Sequence, residues 1–277
     1  MVLAIGNEKG EISEEKTIPT ESPKVTVPLM IDYFKSKKID ALGIASFGPL
    51  CLDVNSDNYG SITSTPKEGW TNFNIVRAFK EALNIPIGFD TDVNGSCLGE
   101  VTFGGAKNLK NVVYLTVGTG IGAGIMTEGK LLHGNLHSEA GHIMLRRHVK
   151  DTFEGCCPFH KDCFEGLASG PAMEKRWGTG AENLPNGHEA FSMEAWYIAQ
   201  AIADYIMILA PERIIIGGGV MNREELFPLI RSNVIEIVSA YLDTNELKDI
   251  DNYIVPADLN GKQGILGCFV LGSRYSR

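Results

Sequence analysis

Basic residues are the scarcer charge in this 277-residue chain. Its 25 Lys and Arg stand against 34 Asp and Glu, for a formal net charge of -9 and a pI near 5.2. A nucleic-acid groove or an anionic lipid surface needs clustered Lys and Arg, so neither nucleic acid nor membrane is the expected partner. Uninterrupted apolar runs of about 18 residues are missing too, and no basic-then-apolar segment opens the sequence. Membrane spanning and secretion therefore lack support, and a cytoplasmic location is expected. Internal repeats and low-complexity tracts are also lacking. What remains, at 44% hydrophobic and 21% charged residues, is an ordinary globular composition, better suited to two lobes than to one and to a small-molecule ligand.

Three of the six cysteines, Cys51, Cys97 and Cys268, are isolated among apolar or small residues and read as buried reduced thiols. The other three crowd into HSEAGHIMLRRHVKDTFEGCCPFHKDCFE, residues 137–165, with the spacing Cys157-x-x-His160-x-x-Cys163. Structural zinc takes four tetrahedral ligands from thiolates and imidazoles, and one tight turn can supply several of them. His142, which closes Glu139-x-Gly141-His142, is the expected fourth ligand; Cys156 could replace Cys157. Unrelated thiols beside a solvated histidine, or a disulfide, are the competing readings.

Along the chain, residues 2–6 and 17–20 read as short strands around a turn at Asn7–Gly10, and a helix is expected after Pro28. The apolar run Ala41–Phe47 reads as a buried strand ending at Gly48-Pro49. The polar loop 60–70 either faces a ligand or is a plain surface loop holding a packed Trp70. Thr71 or Asn72 is the expected cap of the next helix. Ile85–Phe89 reads as a strand that delivers Asp90, Asp92 and Asn94 to its carboxyl end, where ligands sit in open α/β folds. Asp92 there could be a general base or a helix cap. Val112–Val117 is an apolar strand followed by Gly118-Thr119-Gly120-Ile121-Gly122, whose amides could approach anionic oxygens. That turn lacks the Lys-Ser/Thr pair of a Walker A loop, and a plain hairpin bend competes. Ser192 could cap a helix to about Leu209, whose apolar face near Trp196 suits core or a dimer contact. A strand at Arg213–Ile216 runs into Gly217-Gly218-Gly219, a second nucleotide contact in this reading, before a helix over Glu224–Ala240.

Taken in order, GPL at 48–50, TPKEGW at 65–70, Asp92 after a strand, VGTGIG, E-x-G-H with Cys157, His160, Cys163 and Glu165, and IIIGGGV at 214–220 resemble the ROK family of sugar kinases, in its bacterial fructokinase branch. The likeness extends over nearly the whole chain. It implies the α/β, actin-like (ribonuclease-H-type) fold of two lobes around a cleft, with a structural zinc loop. Residues 1–108, joined by a closing helix at about 264–277, would form the smaller lobe, and 109–263 the larger. It further implies ATP-dependent phosphorylation of a hexose, most specifically fructose to fructose 6-phosphate, with Mg²⁺; a homodimer is expected from the apolar helix near Trp196. Asp92 would be the general base. Glu139, His142 and Glu165 would bind the sugar, and Gly118, Thr119, Gly120 and Gly122 with Gly217, Gly218 and Gly219 the nucleotide. Zn²⁺ would sit on His142, Cys157, His160 and Cys163. Family members begin with a strand and a Gly-Gly-Thr turn on ATP phosphate, whereas this sequence opens at what corresponds to the second strand. A start assigned too late is the expected explanation; a sugar-binding regulator or impaired kinase homologue is the competing expectation.

Overall fold

A computed structural model describes residues 1–274. Their packing divides the chain into two compact units: Met1–Lys107 with Leu132–Ser138 and Leu259 onward, and Asn108–Leu131 with Glu139–Asp258.

The first unit opens with the hairpin β1 (Val2–Gly6) and β2 (Ile12–Thr17), paired antiparallel. The return strand starts five residues before the expected 17–20, because Asn7 closes the turn early: its side-chain oxygen accepts from the amides of Lys9 and Glu11. Helix α1 (Pro23–Lys35) likewise begins ahead of Pro28. Pro23 occupies the first helical turn, where a missing N–H costs nothing, so the helix can nucleate there and carry Pro28 in its interior. β3 (Leu42–Ser46) follows, then the small ladder of β4 (Ser61–Ile62) with β5 (Phe73–Asn74). Trp70 between these is 1% exposed and donates its indole N–H to the Glu21 carbonyl at 2.8 Å, a packing role. Asn74, rather than Thr71 or Asn72, caps α2 (Ile75–Leu83) through the Arg77 amide, since Asn72 sits at φ 60°, outside the extended conformation of a cap. β6 (Ile87–Thr91) pairs parallel with β3 and leads directly into α3 (Asp92–Phe103). The core of this unit gathers Leu3, Val27, Phe34, Leu50, Trp70 and Phe79.

In the second unit β7 (Val112–Val117), β8 (Ile121–Thr127) and β9 (Lys130–Leu131) form an antiparallel meander. After the metal segment come α4 (Phe164–Ala168), α5 (Gly170–Trp177) and α6 (Glu189–Leu209). α6 is capped by His188, whose ring nitrogen accepts from the Ala190 amide; the helix thus starts four residues before the Ser192-capped start expected. Its apolar face is core: Ala199, Ile202, Ala203 and Ile206 are all buried. Each fully buried Ile there contributes about 1.5–3 kcal/mol. β10 (Arg213–Gly217) lies parallel to β7 on one side and to β11 (Ile254–Pro256) on the other, with α7 (Leu226–Val238), α8 (Asn245–Lys248) and α9 (Ile250–Tyr253) between them in sequence.

The chain then returns to the first unit with α10 (Gln263–Ser273). Helices α3 and α10 meet backbone to backbone: a Cβ on Gly99 would collide with the Gln263 carbonyl, and one on Gly267 with that of Gly95. Glycine is therefore required at these positions. Residues 275–277 of the expected closing helix lie outside the described residues.

Candidate active site and metal centre

In the second unit, His142, Cys157, His160 and Cys163 each offer one ligand atom, and all of these atoms lie within 4.8 Å of one another. Cys157 Sγ is 3.8 Å from Nδ1 of both His142 and His160, and Cys163 Sγ is 3.4 Å from Nδ1 of His142. A tetrahedron with Zn–S of about 2.3 Å and Zn–N of about 2.0 Å places sulfur and nitrogen roughly 3.5 Å apart, so the donor set suits zinc in both chemistry and spacing. The local chain explains the convergence. Cys157 and Lys161 exchange both backbone hydrogen bonds, at 3.1 and 3.0 Å, closing a tight knuckle that turns His160 inward. Cys156 is outside the cluster, which takes Cys157. Every cysteine is a free thiol, so the disulfide reading fails.

The same segment carries two carboxylates. Glu139 precedes a single 3-10 turn, Ala140–His142, held by the Tyr205 hydroxyl donating to the Ala140 carbonyl at 2.8 Å. Gly141 presses against β8 so closely that a Cβ would meet the Ile121 carbonyl. His142 is thereby divided between two neighbours: Nδ1 faces the thiols, while Nε2 lies 4.0 Å from a Glu139 oxygen. Glu165, in the first turn of α4, accepts from the Ile121 amide at 3.0 Å. A Cβ on Gly120 would lie 2.7 Å from the same carboxylate. Glu165 is thus tied to the glycine turn expected to hold phosphate.

That turn and its counterpart come together. β7 and β10 are parallel neighbours with Gly217 opposite Thr116, so Gly118–Gly122 and Gly217–Gly219 leave the same end of one sheet. A Cβ on Gly118 would sit 3.5 Å from the Gly219 amide nitrogen. Gly218 at φ 98° holds a conformation open to glycine.

In the first unit, Asp92 is the first residue of α3, and the cap belongs to Thr91, whose hydroxyl accepts from the Asn94 amide at 3.1 Å. Between base and cap, this removes cap from Asp92. Its Oδ1 accepts from the Val93 amide at 2.9 Å while the residue stays exposed along the wall of a cavity. Surrounding protein raises its pKa above the ordinary carboxylate value, against the opposing pull of the Val93 amide and the Lys67 charge.

A cluster whose histidines no sequence pattern signalled stands behind it. Asp90, 4% exposed, accepts from the Asn94 side-chain amide at 2.7 Å and pairs with His133 at 3.0 Å. The Asp90 hydrogen bond raises the His133 pKa. His137 accepts from the Leu50 amide at 2.9 Å, and burial lowers its pKa. These histidines stand some forty residues or more from their partners, at separations of 43 and 87, so no local spacing announces them.

The α/β architecture is that of the actin-like ATPase fold: a ROK family glucokinase from Streptomyces griseus, solved in complex with glucose and AMPPNP, matches at TM-score 0.72 and 21% identity, covering 98% of this chain and 95% of that one. The chain belongs to the ROK family, whose model matches residues 1–274. It is 44% identical over 273 residues to the fructokinase of Lactococcus lactis subsp. cremoris, covering 98% of this chain and 92% of the relative. It is 41% identical over 270 residues to the fructokinase of Pediococcus pentosaceus, covering 98% and 93%. Among the described residues no helix is long and apolar enough to cross a membrane.

Proposed function

We propose that this chain is a sugar kinase that transfers the γ-phosphoryl group of ATP to a hexose, with fructose as the hexose and fructose 6-phosphate as the product. The observation that carries this reading is the 44% and 41% identity to fructokinases over 98% of the chain. Asp92 is the general base: a carboxylate freed from capping, with a raised pKa, is suited to take the proton of an attacking hydroxyl. Glu139, His142 and Glu165 accept and donate hydrogen bonds to the sugar hydroxyls. The two glycine turns offer backbone amides to the nucleotide phosphates. Bound Mg²⁺ supplies charge neutralisation to those phosphates. His142, Cys157, His160 and Cys163 hold Zn²⁺ as a structural ion, which sets the positions of Glu139 and Glu165.

An ADP-release assay across fructose, glucose and mannose tests the activity, and fructose should give the highest kcat/KM. Asp92→Asn should retain hexose binding by calorimetry while kcat falls about 10²–10⁴-fold, the usual range for general-base catalysis. Undiminished turnover would remove Asp92 from the role. A second reading, hexose binding without phosphoryl transfer, draws on the open cavity beside Asp92. Calorimetric binding of hexose with none of ATP would replace the first reading by the second.

A further inference from the structure

After β9 the chain returns to the first unit as Leu132–Ser138 and then runs straight on into Glu139. These residues fold on themselves as a short strap: His133 and His137 pair antiparallel through their backbones, and the Gly134 amide donates to the Leu136 carbonyl at 3.0 Å. The two histidines tie the strap down in different ways. His137 Nε2 accepts from the Leu50 amide at 2.9 Å, which takes a neutral ring, in keeping with its lowered pKa. His133 Nε2 instead faces the Asp90 carboxylate, 3.0 Å from Oδ2 and 3.3 Å from Oδ1, and this contact raises its pKa.

Asp90 is the hub of the arrangement. Buried at 4% exposure, it also accepts on Oδ1 from the Thr91 amide at 2.8 Å and from the Asn94 side-chain amide at 2.7 Å. Thr91 and Asn94 are joined in turn by the helix cap, at 3.1 Å. Asp92 therefore lies inside a loop of bonds that begins and ends on Asp90. A neutral Asn could accept the same two amide bonds, and a buried carboxylate is costly unless it is paired. What the carboxylate adds is the charge-assisted bond to His133.

We propose that Asp90 and His133 are positioning residues for Asp92, their ion pair acting as a latch that clamps the β6–α3 turn in the geometry from which Asp92 takes the hexose proton. This role rests on the reading of Asp92 as the base of a sugar kinase, and it names the pair that holds the base in place. A misplacement of about 1 Å can cost about 10²-fold in rate, so the clamp acts on kcat. The groups acting on the His133 ring are Asp90 from β6, the neutral Asn94 amide of α3 at 3.4 Å, and the neutral His137 across the strap. Because folding raises the His133 pKa, the latch is charged below the ordinary histidine value of about 6.5 and loses its charge as pH rises through the folded value.

The test combines steady-state kinetics with NMR of the intact chain carrying isotope-labelled Asp and His. The kcat for fructose should fall about tenfold along an alkaline limb whose midpoint matches the titration of the His133 imidazole, with KM for fructose changing less than about twofold. His133 is 38% exposed, so its variants should fold, which urea melts check. His133→Gln, a neutral donor, should show a kcat about tenfold lower and flat with pH, whereas His133→Arg, a permanent cation, should restore the plateau and abolish the limb. Variants that lose stability yet leave the limb where the parent has it would make the pair merely structural and overturn the proposal. Independently of turnover, the Asp92 carboxyl resonance should show a step at the His133 midpoint that is absent from His133→Gln. Turnover without that step overturns the latch and spares the kinase reading; the step without turnover of any hexose keeps the latch on Asp92 and defeats the kinase reading.

Discussion

Replacing Glu194 by Met should stabilise this protein. Glu194 lies in α6 at 1% exposure, and neither carboxylate oxygen has a hydrogen-bond partner. Burial pushes its pKa well above the ordinary carboxylate value, with Arg176 as the only opposing influence. An unsatisfied buried polar group costs about 1–3 kcal/mol at any pH. A proton-linked penalty adds to it. Below an unfolded-state pKa of about 4.3 both states hold the proton and this penalty is zero. As pH rises through and past that value the unfolded chain ionises and the folded one does not, so unfolding free energy falls by about 1.4 kcal/mol per pH unit until the folded pKa is reached. Methionine fills a similar volume and carries no charge. Urea melts of both proteins at about pH 4.5 and about pH 7.5, followed by tryptophan fluorescence, should show Glu194→Met the more stable by about 1–3 kcal/mol at the lower pH, with the gap widening at the higher. A variant less stable than the parent at the higher pH, or a gap that does not grow with pH, would refute the reasoning.

The neighbouring pair behaves oppositely. Arg176 donates to both oxygens of Asp151, at 3.2 and 3.0 Å, and to the Leu167 carbonyl at 2.7 Å, with both side chains under 10% exposed. Arg176→Met leaves that carboxylate buried and unpaired, and should cost about 3–5 kcal/mol in the same melts. Asp151 keeps a lowered pKa through hydrogen bonds from Tyr197, Phe153 and Arg176 that outweigh its burial, so its stabilisation is present above the ordinary carboxylate pKa and disappears as pH falls through the folded value. Tyr197→Phe should therefore reduce the neutral end of the stability profile more than the acid end. For the metal centre, protein purified without added metal should contain one zinc per chain by elemental analysis, and Cys157→Ser should lose it along with a several-degree fall in Tm; zinc-free parent protein would refute the four-ligand set. Gly218→Ala should raise the KM for ATP, since its Cβ would meet the Val117 backbone at φ 98° and displace the second glycine turn.

Much of this was legible from spacing. Cys157-x-x-His160-x-x-Cys163 sits in one tight knuckle, so sequence distance was close to spatial distance. The apolar runs at Val112–Val117 and Arg213–Ile216 became adjacent parallel strands because nothing but a sheet interior accommodates them. Helix starts were the weak point. More than one side chain that can cap stood near each start, and the one in extended geometry won: Asn74 over Asn72, His188 over Ser192, Thr91 over Asp92. The Asp90–His133 pair had no local signal, since it arises only when Leu132–Ser138 crosses to the first unit. Glu194 was hidden for the opposite reason: on a helix wheel a lone glutamate reads as solvated, and only the packing of α6 shows it enclosed.

The division of the chain between the units also bears on the order in which a ribosome would deliver it. The second unit is complete once Asp258 has emerged, whereas the first still lacks α10, the helix that lies backbone to backbone on α3. Nascent residues 1–107 must therefore wait, with the α3 glycines bare, while some 150 further residues are synthesised. A stop codon just before Gln263 would leave the second unit whole and the first without its closing helix. Of the two units, the one bearing Asp92 is therefore the last to be completed during synthesis and the one that nonsense mutations near the carboxyl end would disrupt.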